Sequence, residues 1–271
     1  MERRRFLQAA GGLALTGAAG LSYTRWVEPG WYDVERVTLR IRVLPDNRAG
    51  TRLAQISDLH LSQYAGPEQL NEAVQTINSL RPDAVLLTGD YVGDDAGSAQ
   101  GLIEPLRGLK APAFAVFGNH DYWTDQDKVA GYLDEADVRV LCNQAVQFGE
   151  GLWLAGLDDV WSGRPNLRTT LQEVPADAAT LLLAHEPDFF DTVIQSGAPV
   201  TVQLSGHSHG GQVRIPGLGA PALPYLGKRY PIGLRRVGDR QIYTNRGLGV
   251  WPLPYRFNCR PEITLFTLEP V

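Results

Sequence analysis

Cysteine is almost missing from this sequence. Cys142 and Cys259 are the only two in 271 residues, which rules out a disulfide framework or a cysteine-built zinc cluster and leaves the pair open as one bridge or two buried thiols. Internal repeats and low-complexity linkers are missing as well, so nothing divides the body of the chain. The charge-free apolar run from Ala9 to about Tyr23 falls short of the roughly 20 residues that span a bilayer comfortably. Positive charge is also in deficit: 25 Lys and Arg stand against 30 Asp and Glu, and without residues 1–20 the balance is 22 against 29, a net charge of −7. A body of that sign lacks the basic face that displaces counterions, which argues against general nucleic-acid binding. The chain is 44% hydrophobic, enough for one substantial core in a single large α/β domain.

Arg3-Arg4-Arg5-Phe6-Leu7 precedes the apolar run. A basic start followed by small and apolar residues is an export pattern, and paired arginines before Phe-Leu point to the twin-arginine export machinery. Residues 1–24 are therefore read as a twin-arginine signal or, if kept, an N-terminal anchor, with one domain over 25–271. That places the domain in the exported or membrane-associated class, on the periplasmic or extracytoplasmic face.

Along the domain, Val37 to Val43 alternates as a half-buried outer strand does. The spacing of Leu70, Ala73, Val74, Ile77 and Leu80 predicts a helix over 67–80, started by Pro67. Strands are expected at 84–88 and 113–117, with helices near 98–109 and 125–135, the alternation of a parallel sheet under helices. From Val138 the connections shorten. Strands are expected at 138–141, 145–148, 152–156, 180–184, 200–204, 241–244 and 263–268, and a helical stretch at 167–174.

The few histidines carry the chemistry. All five lie where an apolar run breaks off: Asp58-Leu59-His60, Gly118-Asn119-His120-Asp121, Ala184-His185 and Gly206-His207-Ser208-His209, with Gly89-Asp90 at a further break. Any one of these alone is ordinary turn chemistry; their joint occurrence at the carboxyl ends of strands is where open α/β sheets place sites. Asp58, His60, Asp90, Asn119, His120, His185, His207 and His209 offer oxygen and imidazole donors without thiolate, a set that suits Mn, Fe or Zn. Asp58/His60 and His207/His209 are i, i+2 pairs, which in extended chain point to one side.

In this order the breaks resemble the complete motif series of the calcineurin-like metallophosphoesterases. Ser205 to Gln212, Tyr243 to Gly249 and Arg260 to Ile263 further resemble a bacterial envelope branch of that family, whose members carry twin-arginine leaders or N-terminal anchors. The resemblance covers nearly the whole chain. It implies an α/β four-layer αββα sandwich with a dinuclear metal site at the strand ends. It also implies that Asp58, His60 and His209 bind one divalent ion, that Asn119, His185 and His207 bind a second, and that Asp90 bridges them. His120 would stay unligated as the acid, and Asp121 would orient it. The implied reaction is hydrolysis of a phosphodiester or pyrophosphate, with two divalent ions (Mn, Fe or Zn) activating water and clamping the phosphoryl oxygens.

Two other classes fit less well. Gly206-His207-Ser208-His209-Gly210 matches the nucleophile elbow of serine hydrolases, but no histidine follows His209 to complete a triad in that order. A non-catalytic scaffold on the same fold would tend to lose ligands, and no position of the series is empty.

For the substrate, residues 212–257 hold eight basic side chains (Arg214, Lys228, Arg229, Arg235, Arg236, Arg240, Arg246 and Arg256) against Asp239 alone, interleaved with aromatic and aliphatic residues such as Tyr225, Trp251 and Leu253. Guanidinium groups bind phosphate oxygens in pairs, and aromatic residues beside basic ones suit a lipid headgroup or a membrane surface. The expectation is a phosphorylated small molecule or lipid-linked substrate of the cell envelope, with Arg246 and Arg256 as phosphate contacts. Within the resembling branch, cleavage of UDP-2,3-diacylglucosamine in lipid A assembly is an alternative, but it faces the cytoplasm and conflicts with export.

Overall fold

The computed structural model describes residues 17–271; most of the expected leader, with Arg3 to Arg5 and most of the apolar run, lies outside the described residues. Two six-stranded sheets form the centre. The first has the order β1 (Asp33–Ile41), β12 (Glu262–Pro270), β2 (Arg52–Ile56), β3 (Ala84–Thr88), β4 (Ala113–Val116), β5 (Val138–Val140). The second runs β10 (Gly233–Val237), β11 (Arg240–Thr244), β9 (Val202–Ser205), β8 (Ala179–Leu183), β7 (Leu152–Gly156), β6 (Gln144–Gln147). Strands β2 to β5 are mutually parallel, as are β7, β8, β9 and β11. Their carboxyl ends carry the loops that build the site.

Each central strand is buried on both faces because each sheet is covered twice. Leu39, Leu53, Leu86 and Phe114 pack with Leu154, Leu181, Leu204 and Tyr243 between the sheets. On the outer face of the first sheet, Ile56, Val85, Leu87 and Ala115 meet Leu70, Val74 and Ile77 of the helix Pro67–Leu80 and Val129 and Leu133 of the helix Gln126–Glu135. The second sheet is covered by Phe190 and Val193 of the helix Phe190–Ser196. The result is a four-layer αββα sandwich. Continuous apolar strands and an amphipathic helix are the sequence image of that doubly covered sheet.

The helix over 67–80 falls where its spacing placed it, and the strand at 33–41 is an edge strand, as expected of its alternation. The helix expected near 98–109 is instead a 3-10 segment, Ala96–Leu102, followed by a short α-turn, Ile103–Arg107. Gly97, Gly101 and Pro105 weaken regular helix there. The stretch near 167–174 is helical only over Leu167–Thr170. Strand β10, with Arg235, Arg236 and Val237 exposed, lacked any apolar signature and escaped the reading. So did the short helices Asn119–Thr124 and Phe190–Ser196.

Cys142 and Cys259 are free thiols. Among the described residues no helix is long and apolar enough to cross a membrane. The start of the described chain is tied to the 247–260 loop: Arg256 N–H donates to Thr24 O at 2.9 Å, and Cys259 N–H to the buried Glu28 carboxylate at 2.7 Å.

Candidate metal centre

Four of the expected ligands stand two residues beyond a strand: Asp58 after β2, Asp90 after β3, His185 after β8 and His207 after β9. Asn119 follows β4 at three. The sandwich brings these ends to one rim. Strand direction gathers them, but the local backbone aims them. Asp58, His60, Asp90, His207 and His209 all have left-handed φ, between 43° and 69°. The i, i+2 pairs are therefore not extended chain: both members curl through left-handed turns, a strained state that persists where surrounding structure enforces it. The turns are close together, so that a methyl group at Gly118 would collide with the Asp90 carboxylate, and one at Gly206 with Ser57 and Asp58.

The converging atoms form two separate triads, Asp58–His60–His209 and Asp90–His185–His207, and a third, His60–Asp90–His120, that overlaps both, with ligand atoms inside each lying within 4.8 Å of one another. In the first, His60 Nε2 is 3.0 Å from His209 Nε2, and His209 Nε2 is 3.4 Å from Asp58 Oδ1. In the second, His185 Nε2 is 3.1 Å from Asp90 Oδ2 and 3.3 Å from His207 Nδ1. Asp90 Oδ2 also lies 3.6 Å from His60 Nε2, so one carboxylate faces both triads.

One buried atom here calls for a cation beside it: Asn119 Oδ1 has no hydrogen-bond partner, an arrangement that costs stability when nothing else is bound. Backbone carbonyls fix two tautomers. Thr88 O, at 2.6 Å, accepts from His185 Nδ1, and Tyr225 O, at 2.6 Å, accepts from His207 Nε2, so His185 Nε2 and His207 Nδ1 are the nitrogens turned toward each other inside the site. Burial pushes His60 down to about 3 and His209 well below its ordinary value, keeping both imidazoles neutral and free to ligate. Burial alone would raise Asp90, but the His185 imidazole beside it, itself pushed well above its ordinary value by that carboxylate, holds it well below the usual carboxylate range; a cation bound there would take the place of that proton. The donor set fits two divalent ions around a shared carboxylate.

Asp121 does not do what was expected of it. Its carboxylate accepts from the N–H groups of Gly118 at 2.8 Å, Asp90 at 3.0 Å and Tyr91 at 2.9 Å, and makes no contact with the His120 ring. It pins the β3 and β4 loops together. The His120 ring is oriented instead by Gly93 O, 2.6 Å from Nδ1, while His120 N–H donates to Asp90 Oδ1 at 2.9 Å.

Arg246 and Arg256 also need correction: neither reaches the site cavity. Arg246 is engaged by Glu262 at 2.6 Å and Glu35 at 2.8 Å. Arg256 is fully buried and donates to the carbonyls of Gly249, Arg246, Gly247 and Cys259, a staple that shapes the 246–259 loop. The other cations of the segment fare similarly: Arg229 pairs with Asp191, Arg240 with the carbonyls of Val193 and Ala198, and Arg214 with Gly210 O.

The cavity above the triads measures about 500 Å³ and is walled by Trp123, Trp161, Trp251, Leu223, Pro224 and Leu253, with no lysine or arginine in its lining among the described residues. Trp123, on the short helix Asn119–Thr124, and Trp161, in a loop, escaped the reading because a lone tryptophan has no motif, although Trp161 follows Asp158-Asp159 after the end of β7 by the same strand-end logic. Behind Trp161, burial, with Glu186 adding to it, pushes the Asp159 carboxyl up to about 9. Glu186 itself accepts from the N–H groups of Val160 and Trp161.

The calcineurin-like phosphoesterase family matches residues 51–211, from the start of β2 to just beyond His209. The chain is 36% identical over 282 aligned positions to the uncharacterized metallophosphoesterase YkuE of Bacillus subtilis, covering 99% of this chain and 98% of that one. It is 36% identical over 282 positions to the phosphodiesterase YaeI of Escherichia coli, covering 99% of each. With a match of that extent ending on the last of the converging ligands, the chain belongs to the calcineurin-like phosphoesterases and is a metal-dependent phosphoester hydrolase.

Proposed function

We propose that this hydrolase is a phosphodiesterase that works with two divalent ions, Mn, Fe or Zn, on a cell-envelope or lipid-linked diester. The observation that carries the reading is Asp90, one carboxylate facing two histidine-bearing triads. Asp58, His60 and His209 would hold one ion and Asn119, His185 and His207 the other, with Asp90 common to both. When bound, such ions polarise a phosphoryl oxygen and make water nucleophilic at neutral pH.

The protein's own part is proton supply and placement. Gly93 O holds His120 by Nδ1, which leaves Nε2 for the oxygen of the departing group. Asp121 fixes the loops that carry Asp90 and His120. The name of the Escherichia coli relative supports a diester over a monoester. A pyrophosphate such as UDP-2,3-diacylglucosamine fits less well, since the cavity lining offers no cationic side chain for a second phosphate. The twin-arginine start supports an extracytoplasmic location, whether the leader is cleaved or kept as an anchor at a membrane surface.

The test is hydrolysis of bis(p-nitrophenyl) phosphate by metal-stripped protein resupplied with Mn, Fe or Zn. Turnover should return with metal and stay at background in Asp90→Ala, whose bound metal, read by elemental analysis, should fall below two ions per chain. Full metal occupancy without turnover would favour a binding scaffold instead.

A further inference from the structure

Three indole rings rest against histidines of the centre. Trp251 stacks on His60 at a centroid distance of 5.8 Å and meets His120 edge-on at 4.9 Å, Trp123 lies 4.8 Å from His120, and Trp161 meets His207 edge-on at 5.8 Å. Trp123 and Trp161 touch each other at 4.9 Å, and Trp161 touches Tyr225 at 5.4 Å. Any phosphorus held at the triads therefore has its substituents between these rings. Leu223, Pro224 and Leu253 continue the wall outward, and Trp123, Trp161 and Leu253 are 52%, 41% and 61% exposed among the described residues, a large apolar area.

What the wall lacks narrows the occupant. Among the described residues it contains no cationic side chain with which to read a second anionic group. Apart from Asn119 on the metal floor, its amide and hydroxyl side chains are already engaged: Gln212 donates to Leu253 O and accepts from the Trp251 backbone N–H, while Ser208 donates to Pro231 O and accepts from Gly210 N–H. Neither is free to read the edge of a nucleobase or the hydroxyls of a sugar. A cavity of about 500 Å³ is far larger than a phosphate needs.

We infer that Trp123, Trp161, Trp251 and Leu253 form a hydrocarbon subsite that selects singly charged phosphodiesters whose retained substituent is an alkyl chain. This rests on the phosphodiesterase reading. It replaces the arginine cluster as the reason for a lipid-like substrate, because those arginines face elsewhere.

The experiment uses the metal-loaded protein and p-nitrophenyl alkyl phosphates with methyl, butyl and octyl chains, beside p-nitrophenyl thymidine 5′-phosphate. The expected result is a rise in kcat/KM of roughly two- to fourfold per buried methylene until the cavity is filled, with the thymidine ester no better than the methyl one. Trp161→Ala and Leu253→Ser should flatten the chain-length dependence, and Trp161→Phe should keep it. A flat series in the wild-type protein, or a thymidine ester faster than the octyl one, overturns the subsite while leaving the phosphodiesterase intact. Absence of turnover on every ester strikes the phosphodiesterase reading instead. In that case binding of octyl against methyl phosphate, followed by tryptophan fluorescence, still decides the subsite: equal affinities refute it and tighter octyl binding sustains it.

Discussion

The floor of the cavity and its wall are built on different terms. The floor is set by strands: Asp58, Asp90, Asn119, His185 and His207 follow directly from central strands of two sheets, and all are buried. The wall comes from loops, among them the one after β7 and the glycine- and proline-rich segment after His209, and its tryptophans are half-exposed. The floor concentrates polar atoms that want a cation; the wall concentrates apolar surface and turns its cations outward or into the protein. The comparison teaches that proximity in sequence to a catalytic motif says little about proximity to the substrate. The basic segment begins three residues after His209, yet it lines the cavity with Trp251 and Leu253 rather than with its arginines.

The contrast can be broken first at the floor. Replacing His120 by Asn should lower kcat on the order of 10²–10⁴-fold for a diester with an alkoxide leaving group, and much less for p-nitrophenolate, which departs without a proton. Bound metal, read by elemental analysis, should not change. Equal losses for both leaving groups would mean that His120 does not serve as the acid.

The staple of the wall comes next. Arg256→Met leaves a row of buried carbonyls without their donor and should cost on the order of 3 kcal/mol in urea unfolding. The KM of the protein that remains folded should hold. A raised KM with unchanged stability would return Arg256 to the role of a phosphate contact.

The carboxyl behind Trp161 sharpens the floor by giving it an acid with no ligand role. Asp159 has a folded value near 9, above that of the unfolded chain, because burial and Glu186 favour its protonated form. The folded state thus holds a proton that the unfolded state releases. The associated stability is fully present below about pH 4 and is lost as pH rises through about 9. Asp159→Asn, which mimics the protonated form, should therefore gain melting temperature relative to wild type as pH rises from 5 to 9, by up to about 1 kcal/mol of stability per pH unit. A constant difference across that range would show that Asp159 is ionised in the folded protein.

The smallest effect is expected at Arg235 and Arg236, exposed on β10. Neutralising both to Gln should change hydrolysis of soluble and long-chain diesters by less than about twofold. A selective loss on the long-chain ester would place the sheet edge, and not the tryptophan wall, at the substrate.

The central strands and the helix over 67–80 were legible because double burial writes itself as unbroken apolar runs and a 3.6-residue stripe. The residues that converge on one rim were legible because a polar break after such a run has few other uses when it recurs at several strands. Strand β10 and the short helix at Asn119 were not, since an exposed edge and a single turn need no apolar pattern. Asp121 was misread for a different reason. An aspartate beside a histidine suggests a pair, whereas the helix start at Gly118 turns that carboxylate back onto backbone N–H groups.

By itself, then, the sequence determined which side chains could hold metal and at which strand ends they sit, because those choices are local: a strand stops, a turn begins, a donor follows. Only the tertiary structure decided which donors share Asp90, that Gly93 O rather than Asp121 orients His120, and that the cavity wall is indole instead of guanidinium. These depend on how two sheets face each other and on where long loops lie across their rim. Charge and hydropathy along a chain carry no record of which side of a loop will point inward.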